Sequence, residues 1–386
     1  MPHRILHSFP IWLPLTQTWL YNQVAFVPRA LAECHVVSER VENLELFRVD
    51  GLHSLAAEHR LRQVADRGIR KLGLRRHLGF QIAVGRSCHA ELLHSHFGNV
   101  GWADVGVARR LGIPHVVTFY GLDVNKLPVL DSRWRDRYAE MFTGVARVLC
   151  EGPHMARMVE ALGCPAERVR VQRLGVDLSR IVYRPRHWDG AGALRVLIVG
   201  SFREKKGIPH ALAAIAQVAA ERPVEVTIIG DAGADPASGR EKARILDAIS
   251  AHGLERTCTL MGYQPPDEVF RQAHAHHVFL SPSITASDGD TEGGAPVTIT
   301  EMVASGMPVV STTHCDIPDV VEHGRGALLA EEGDVPALAA NLRWFAEHPD
   351  QWAAMIAAGR ARIEEHFDVR VQAARLAHHY LEVIRR

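Results

Sequence analysis

The chain has 386 residues, more than one hydrophobic core ordinarily serves, so two domains are expected. Its 47% apolar and 23% charged content is that of a globular protein, and the lack of any apolar run near the roughly 20 residues needed to cross a bilayer excludes a membrane-spanning helix. Lysine plus arginine equals aspartate plus glutamate at 44 each, which excludes the global basic field of a nucleic-acid binder.

In chain order, the first half alternates short apolar runs with helical stretches. Residues 4–9, 34–38, 92–97, 114–119, 147–150 and 169–172 read as buried strands, and their spacing implies parallel pairing through helical crossovers. The apolar patch at 11–15 is broken by Pro10 and Pro14 and lacks a small-residue cleavage site, so cytoplasmic residence is expected. Between Glu58 and Phe80, Arg60, Arg62, Arg67, Arg70, Lys71, Arg75 and Arg76 stand against only Glu58 and Asp66, with leucines interleaved. Such a segment rests peripherally on anionic lipid or meets a phosphate-bearing acceptor; a solvated helix face is the competing reading.

The stretch Arg184–Ala193 is rich in Pro, Gly and Arg and reads as an interdomain linker. This places an N-terminal domain at 1–185 and a second domain at 194–365. Five strand-like runs follow the linker, at 194–200, 224–231, 257–261, 277–283 and 307–313, and describe a doubly wound sheet. From Asp334 onward the chain reads as helical, with 366–386 returning to the N-terminal domain. The six cysteines form no CxxC pair, and the AHAHH run at 273–277 has no carboxylate third ligand beside it, so neither suggests a metal.

Two segments carry chemistry. The first is GSFREKKG, Gly200–Gly207, where a strand ends and a helix begins. Free N–H groups at such a junction, with Arg203, Lys205 and Lys206, suit a diphosphate leaving group, whose developing charge needs fixed cations. It is neither a GxxxxGK[ST] loop nor a GxGxxG fingerprint, which argues against a nicotinamide-dependent oxidoreductase. The second is DGDTEGGAPVTITEMVASGMPVV, Asp288–Val310. Gly293, Gly294, Ala295, Pro296 and Val297 offer further backbone groups at a helix start. Glu292 in the loop and Glu301 about one and a half turns into the helix face the same strand-end crevice, one toward the hydroxyls of a sugar and the other toward a ribose. Asp288 and Asp290 form a DxD that reads as a polar loop rather than a metal site.

With HSHFG (94–98), VTFYGLDV (117–124), RLGVDL (173–178) and the opening FPIWLPLTQTWLYNQV (9–24), these segments resemble, in order and spacing, the retaining glycosyltransferases of family 4. The opening is similar to that of the exopolysaccharide-building members. The resemblance covers nearly the whole chain. It implies the α/β GT-B fold, two facing Rossmann-like domains with parallel sheets and a cleft between them. It further implies that Lys206 and Glu292 are catalytic, with Lys206 on the diphosphate and Glu292 on the sugar. The donor, a UDP- or GDP-sugar, would also meet Gly200, Ser201, Arg203, Gly293, Gly294, Ala295, Pro296, Val297 and, at the ribose, Glu301. Thr16, Gln17, His96, Tyr120 and Asp123 would lie on the acceptor side or in the cleft. The acceptor would be a carbohydrate or lipid-linked hydroxyl, with no metal and no cofactor beyond the nucleotide sugar. In this family the acceptor attacks on the face the diphosphate leaves, and a phosphate oxygen takes the proton, so no protein nucleophile is implied.

Three departures from the family pattern stand out. Ser201 replaces the arginine common after the first glycine, Glu292 and Glu301 are separated by eight residues instead of seven, and Tyr120 replaces a histidine. Those at Ser201 and Tyr120 keep open a catalytically silent sugar-nucleotide binder; separate alternatives are a sugar-nucleotide epimerase or a hydrolase using Glu292 and Glu301 as acid and base, and a small-molecule acceptor in place of a lipid-linked one.

Overall fold

A computed structural model describes residues 2–14 and 17–385, and among them thirteen strands pair in parallel into two sheets. The chain divides into two units, Met1–Asp177 with Asp368–Arg386, and Leu178–Phe367.

The first unit carries β1 (His3–Trp12), β2 (Ala32–Val41), β3 (Leu52–Ser54), β4 (Leu92–His96), β5 (His115–Phe119), β6 (Arg147–Cys150) and β7 (Val169–Val171). They lie in the order β3-β2-β1-β4-β5-β6-β7. Crossover helices cover both faces, which is why β4, β5 and β6 are buried along their whole length, polar residues such as His94, Ser95 and Arg147 included. The helix Val369–Ile384 closes this unit, setting Leu376, Ala377, Tyr380 and Val383 against Ile5, Leu92, Val116 and Leu149.

The second unit carries β8 (Leu194–Val199), β9 (Val224–Ile229), β10 (Cys258–Leu260), β11 (Val278–Ser281), β12 (Val309–Thr312) and β13 (Ala327–Ala330), ordered β10-β9-β8-β11-β12-β13. Val196, Ile198, Ile228, Leu280 and Val310 form one core with Leu212 and Ile215 of the helix Ile208–Ala219, and with Leu338, Leu342 and Phe345 of the helix Val335–Glu347.

Three expectations are corrected. The second sheet has six strands, not five: β13 is Ala-Leu-Leu-Ala, a composition that favours helix, and it is a strand because it registers on β12, Val309 to Ala327 through Thr312 to Ala330. β3 also went unread, since three residues hold no periodicity to detect. The third correction concerns the linker. The chain passes between units at Asp177–Leu178, and Arg184–Ala193 lies inside the second unit. That stretch is irregular, but its polar groups are satisfied there. Arg184 and Arg186 donate backbone N–H groups to Ser305 O (3.0 Å) and Gly306 O (2.9 Å). The Arg186 guanidinium reaches Ala273 O at 2.9 Å and Ser305 Oγ at 3.0 Å, and Trp188 is buried beside Trp352 with ring centroids 6.3 Å apart.

Candidate active site

In a sheet of this order the connections leave the two central strands in opposite directions, and the loops at their carboxyl ends open a crevice. In the second unit those strands are β8 and β11, paired through Val196–Val278 and Leu197–Phe279. The loops that follow them, 200–207 and 282–296, hold the residues singled out in the sequence, and the fold ties the two together. Gly207 has φ +62° and lies so close to the second loop that a Cβ would stand 1.9 Å from the Pro282 carbonyl oxygen. Only glycine fits. Ile284 N–H donates to Lys205 O at 2.9 Å, pinning the loops a second time.

Lys206 Nζ lies 2.9 Å from Glu292 Oε1 and 3.0 Å from Oε2, and Ser283 Oγ donates to Oε1 at 2.9 Å. Burial alone would push the Glu292 carboxyl up. The charges of Lys206 and Lys205, with the bonds from Lys206 and Ser283, outweigh it and hold the group below the usual glutamate range. Glu292 is therefore an ionised carboxylate seated on a lysine. Lys205 is engaged separately, donating to Asp290 Oδ1 at 3.2 Å and to Thr291 O at 2.7 Å. Arg203 keeps an exposed guanidinium 3.7 Å from Asp290 and 3.8 Å from Asp235. The second acid of the DxD thus faces two cations of the 200–207 turn. Ser201 is half-buried at the head of that turn, and its carbonyl accepts Arg203 N–H at 2.8 Å.

The next turn prepares a short helix. Gly293 N–H donates to Thr291 Oγ1 at 3.1 Å, Gly294 O accepts Asp316 N–H at 3.1 Å, and Ala295 and Pro296 lead into Val297–Ala304. Glu301, in this helix, has no side-chain hydrogen bond or ion pair among the described residues. Its surroundings desolvate it, which raises its carboxyl from 4.5 to about 7. A carboxylate of this kind, strongly desolvated and without a protein donor, is primed to accept hydroxyls from a ligand.

Sequence reasoning missed the support behind Glu292. Its backbone N–H donates to His314 Nε2 at 3.1 Å, and His314 Nδ1 lies 2.6 Å from Glu332 Oε1, so the imidazole proton sits on Nδ1. His314 follows β12 and Glu332 follows β13. Only the strand order brings them to Glu292, and the available signal was their position just past strand ends.

The acceptor-side candidates all belong to the first unit. Thr16 lies outside the described residues. Gln17 donates its N–H to Pro14 O at 3.0 Å and precedes the helix Thr18–Ala25. His96 and Tyr120 stand at the ends of β4 and β5 and are buried in a network. His96 Nδ1 lies 2.6 Å from Tyr120 Oη and its Nε2 3.0 Å from His7 Nδ1, while Gln23 Nε2 donates to Tyr120 Oη at 3.1 Å. His94 lies between Thr118 Oγ1 (2.6 Å) and Tyr380 Oη (2.7 Å). Burial holds all three histidines well below their usual value, His7 at about 3, so they are neutral. His7, His94 and His96 bring ring nitrogens within 4.8 Å of one another, but these hydrogen bonds already use both nitrogens of His94 and of His96. Asp123 is fully buried, and it accepts Gly98 N–H at 2.5 Å and Tyr120 N–H at 2.9 Å, so it shapes the strand-end turns. A separate cavity of about 1040 Å³ in this unit is lined by Tyr21, Val24, Glu33, Arg48, Asp50 and Leu52 among others, and by none of the candidate residues.

Tyr120→Phe should lower stability by about 1–2 kcal/mol, because His96 Nδ1 and the Gln23 amide lose their shared partner inside the unit. Chemical denaturation of the two proteins checks this, and an unchanged midpoint would show that the network reorganises without loss.

Residues 193–348 match the family described as Glycosyl transferases group 1, and residues 16–180 match Glycosyltransferase Family 4. The amylovoran biosynthesis glycosyltransferase AmsK of Erwinia amylovora is 33% identical over 293 residues, 75% of this chain and 69% of that protein. WcaL of Salmonella typhimurium, a glycosyltransferase named for colanic acid biosynthesis, is 33% identical over 285 residues, 72% and 67% of the two chains. Among solved structures, HepE of Anabaena in complex with UDP and glucose superposes with a TM-score of 0.76 at 16% identity, covering 98% of this chain and 99% of that one.

Proposed function

The chain belongs to the family 4, group 1 glycosyltransferases, and from that premise we propose that it moves a sugar from a UDP- or GDP-sugar to an acceptor hydroxyl with retention at the anomeric carbon. The observation that carries this reading is the Lys206–Glu292 pair, held where the loops after β8 and β11 meet. In the free protein each group neutralises the other. With donor bound, Lys206 turns to the diphosphate with Arg203 assisting, and Glu292 accepts hydroxyls of the sugar. The loop backbone at Gly200 and Ser201 and from Gly293 to Val297 frames the phosphates, and Glu301 accepts the ribose hydroxyls. No metal is needed in this arrangement, since the cations on the leaving group are lysine and arginine.

The acceptor oxygen forms its bond to the anomeric carbon on the face from which the diphosphate departs. The carbon–oxygen bond to the phosphate breaks, and the acceptor proton passes to the departing phosphate oxygen. Glu292 is already bonded to Lys206 and Ser283, which suits a hydroxyl acceptor better than a nucleophile. The first unit is assigned the acceptor, with Gln17 and Tyr120 nearest to it and His96 and Asp123 positioning Tyr120.

The names of AmsK and WcaL place those proteins in exopolysaccharide synthesis, and the UDP and glucose bound to HepE support a nucleotide-sugar donor. We take the role of this chain to be the same, with a lipid-linked or oligosaccharide acceptor at the cytoplasmic face of the membrane. Thermal shift against a panel of nucleotide sugars identifies the donor. At 100 times the dissociation constant the gain is about 2.7 kcal/mol. Proton NMR of the product then reads its anomeric configuration, and inversion would overturn the retaining assignment.

A further inference from the structure

The helix Arg60–Lys71 is mounted with its apolar stripe toward solvent. Its inward side is polar. Asp66 is buried and accepts N–H groups from Gly79 (2.9 Å) and Phe80 (2.7 Å) and a bond from Arg75 Nη2 (2.9 Å). Arg67 Nε and Arg70 Nη2 both reach Glu39, at 3.0 and 2.7 Å, and the Arg62 guanidinium lies over the Phe80 ring at 5.3 Å. At 100° per residue, Leu61, Val64, Ala65, Gly68 and Leu72 then fall together on the opposite side. Leu61 is 75% exposed, Val64 70%, Leu72 76%, and Leu74 just beyond is 72% exposed. Arg60 and Lys71 run along one edge of the stripe, and among the described residues neither has an ion-pair partner.

A helix packed on a globular core ordinarily buries its apolar side. This one is clamped the other way by five polar contacts, so its exposed leucines require an occupant from outside. We propose that the occupant is an anionic lipid surface. The stripe of Leu61, Val64 and Leu72, with Leu74, enters the boundary between head groups and acyl chains, and Arg60 and Lys71 meet lipid phosphates. Charge decides against a second copy of the chain. Arg62, Arg67, Arg70, Arg75 and Arg76 are paired within the chain with Glu58, Glu39, Asp66 and Glu140, so the stripe presents the charges of Arg60 and Lys71, and a two-fold contact would set these against their own kind. The biological role of this surface rests on the lipid-linked-acceptor reading above, but its existence does not.

The test is flotation of the full-length protein with vesicles containing about one-third phosphatidylglycerol, and with pure phosphatidylcholine vesicles, at roughly 0.15 M salt. Binding is expected to the anionic vesicles only. Leu61→Ser with Leu72→Ser should weaken it by about tenfold or more, through lost apolar insertion. Arg60→Glu with Lys71→Glu should weaken it by roughly thirtyfold or more, by removing two phosphate contacts and adding repulsion. All four side chains are exposed, so both variants should melt as the wild type does and keep its nucleotide-sugar thermal shift. No binding to anionic vesicles, or equal binding by the leucine variant, overturns the proposal. So does a concentration-dependent dimer that the leucine substitutions abolish. Vesicle binding with no nucleotide-sugar shift in any protein would instead sink the functional reading and leave the lipid surface standing.

Discussion

Lys206→Ala should lower the transfer rate by about 10²–10³-fold, the effect of deleting one preorganised group that stabilises transition-state charge. The nucleotide-sugar thermal shift should largely vanish with it. The substitution has a second consequence in the free protein. Glu292 sits on Lys206 at 2.9 Å and is buried, so removing the lysine leaves burial opposed only by Lys205 and the Ser283 bond. Its carboxyl should rise, and the protein should lose roughly 2 kcal/mol near neutral pH, less than the 3–5 kcal/mol of a fully orphaned buried charge because those two supports remain. In the wild type the folded value of Glu292 lies below the unfolded one, so its stabilising contribution is present above the unfolded value and fades as pH falls. The stability gap between wild type and Lys206→Ala should therefore narrow on acidification. Adding Glu292→Gln to Lys206→Ala removes the stranded charge and should restore part of the stability but none of the activity. Steady-state rates and melting curves at pH 5 and pH 8, as round working values, check both arms. Near-normal turnover by Lys206→Ala would show that the lysine serves the loop alone.

How far the sequence reveals this site depends on which contacts are local. Leu194–Val199 and Val224–Ile229 are legible as strands because β-branched runs fit a sheet buried on both faces, and the glycine after each marks the turn. Ala327–Ala330 is not legible, since its residues prefer helix and only pairing with Val309–Thr312 makes it a strand. Lys206 and Glu292 are legible as a pair of motifs, one a cationic turn and the other an acid in a glycine-rich loop. Their contact is not, because it depends on β8 and β11 being neighbours although 78 residues separate Val199 from Val278. The supports of Glu292 are one step further removed. Ser283, His314 and Glu332 follow three different strands, and no spacing rule links them. The helix Arg60–Lys71 shows the complementary case. Its amphipathic pattern is plain in the sequence, but which side faces inward is set by Glu39 and the Gly79–Phe80 amides, all outside the helix.

Glu301→Gln should make the ligand-free protein more stable at neutral pH while weakening its hold on the nucleotide sugar. Burial raises the Glu301 carboxyl from 4.5 to about 7, so ionising it in the folded state is unfavourable. The shift sets a ceiling of about 3 kcal/mol, and the residual exposure of the side chain brings the expected gain to about 1–2 kcal/mol. The sign follows from the folded value lying above the unfolded one. Wild type suffers no penalty below about pH 4.5, and the full penalty above about pH 7. The advantage of the variant should therefore be near zero in acid, grow between those limits and stay level beyond them. A ribose donating to the carboxylate favours its ionised form, so donor binding should expel a proton below pH 7, and wild-type affinity should rise with pH up to that point. A glutamine cannot ionise, so the affinity of the variant should be weaker and flat with pH. Calorimetry across this range reads affinity and proton release together. A variant that melts like the wild type at every pH and binds donor equally well would place Glu301 outside the donor site.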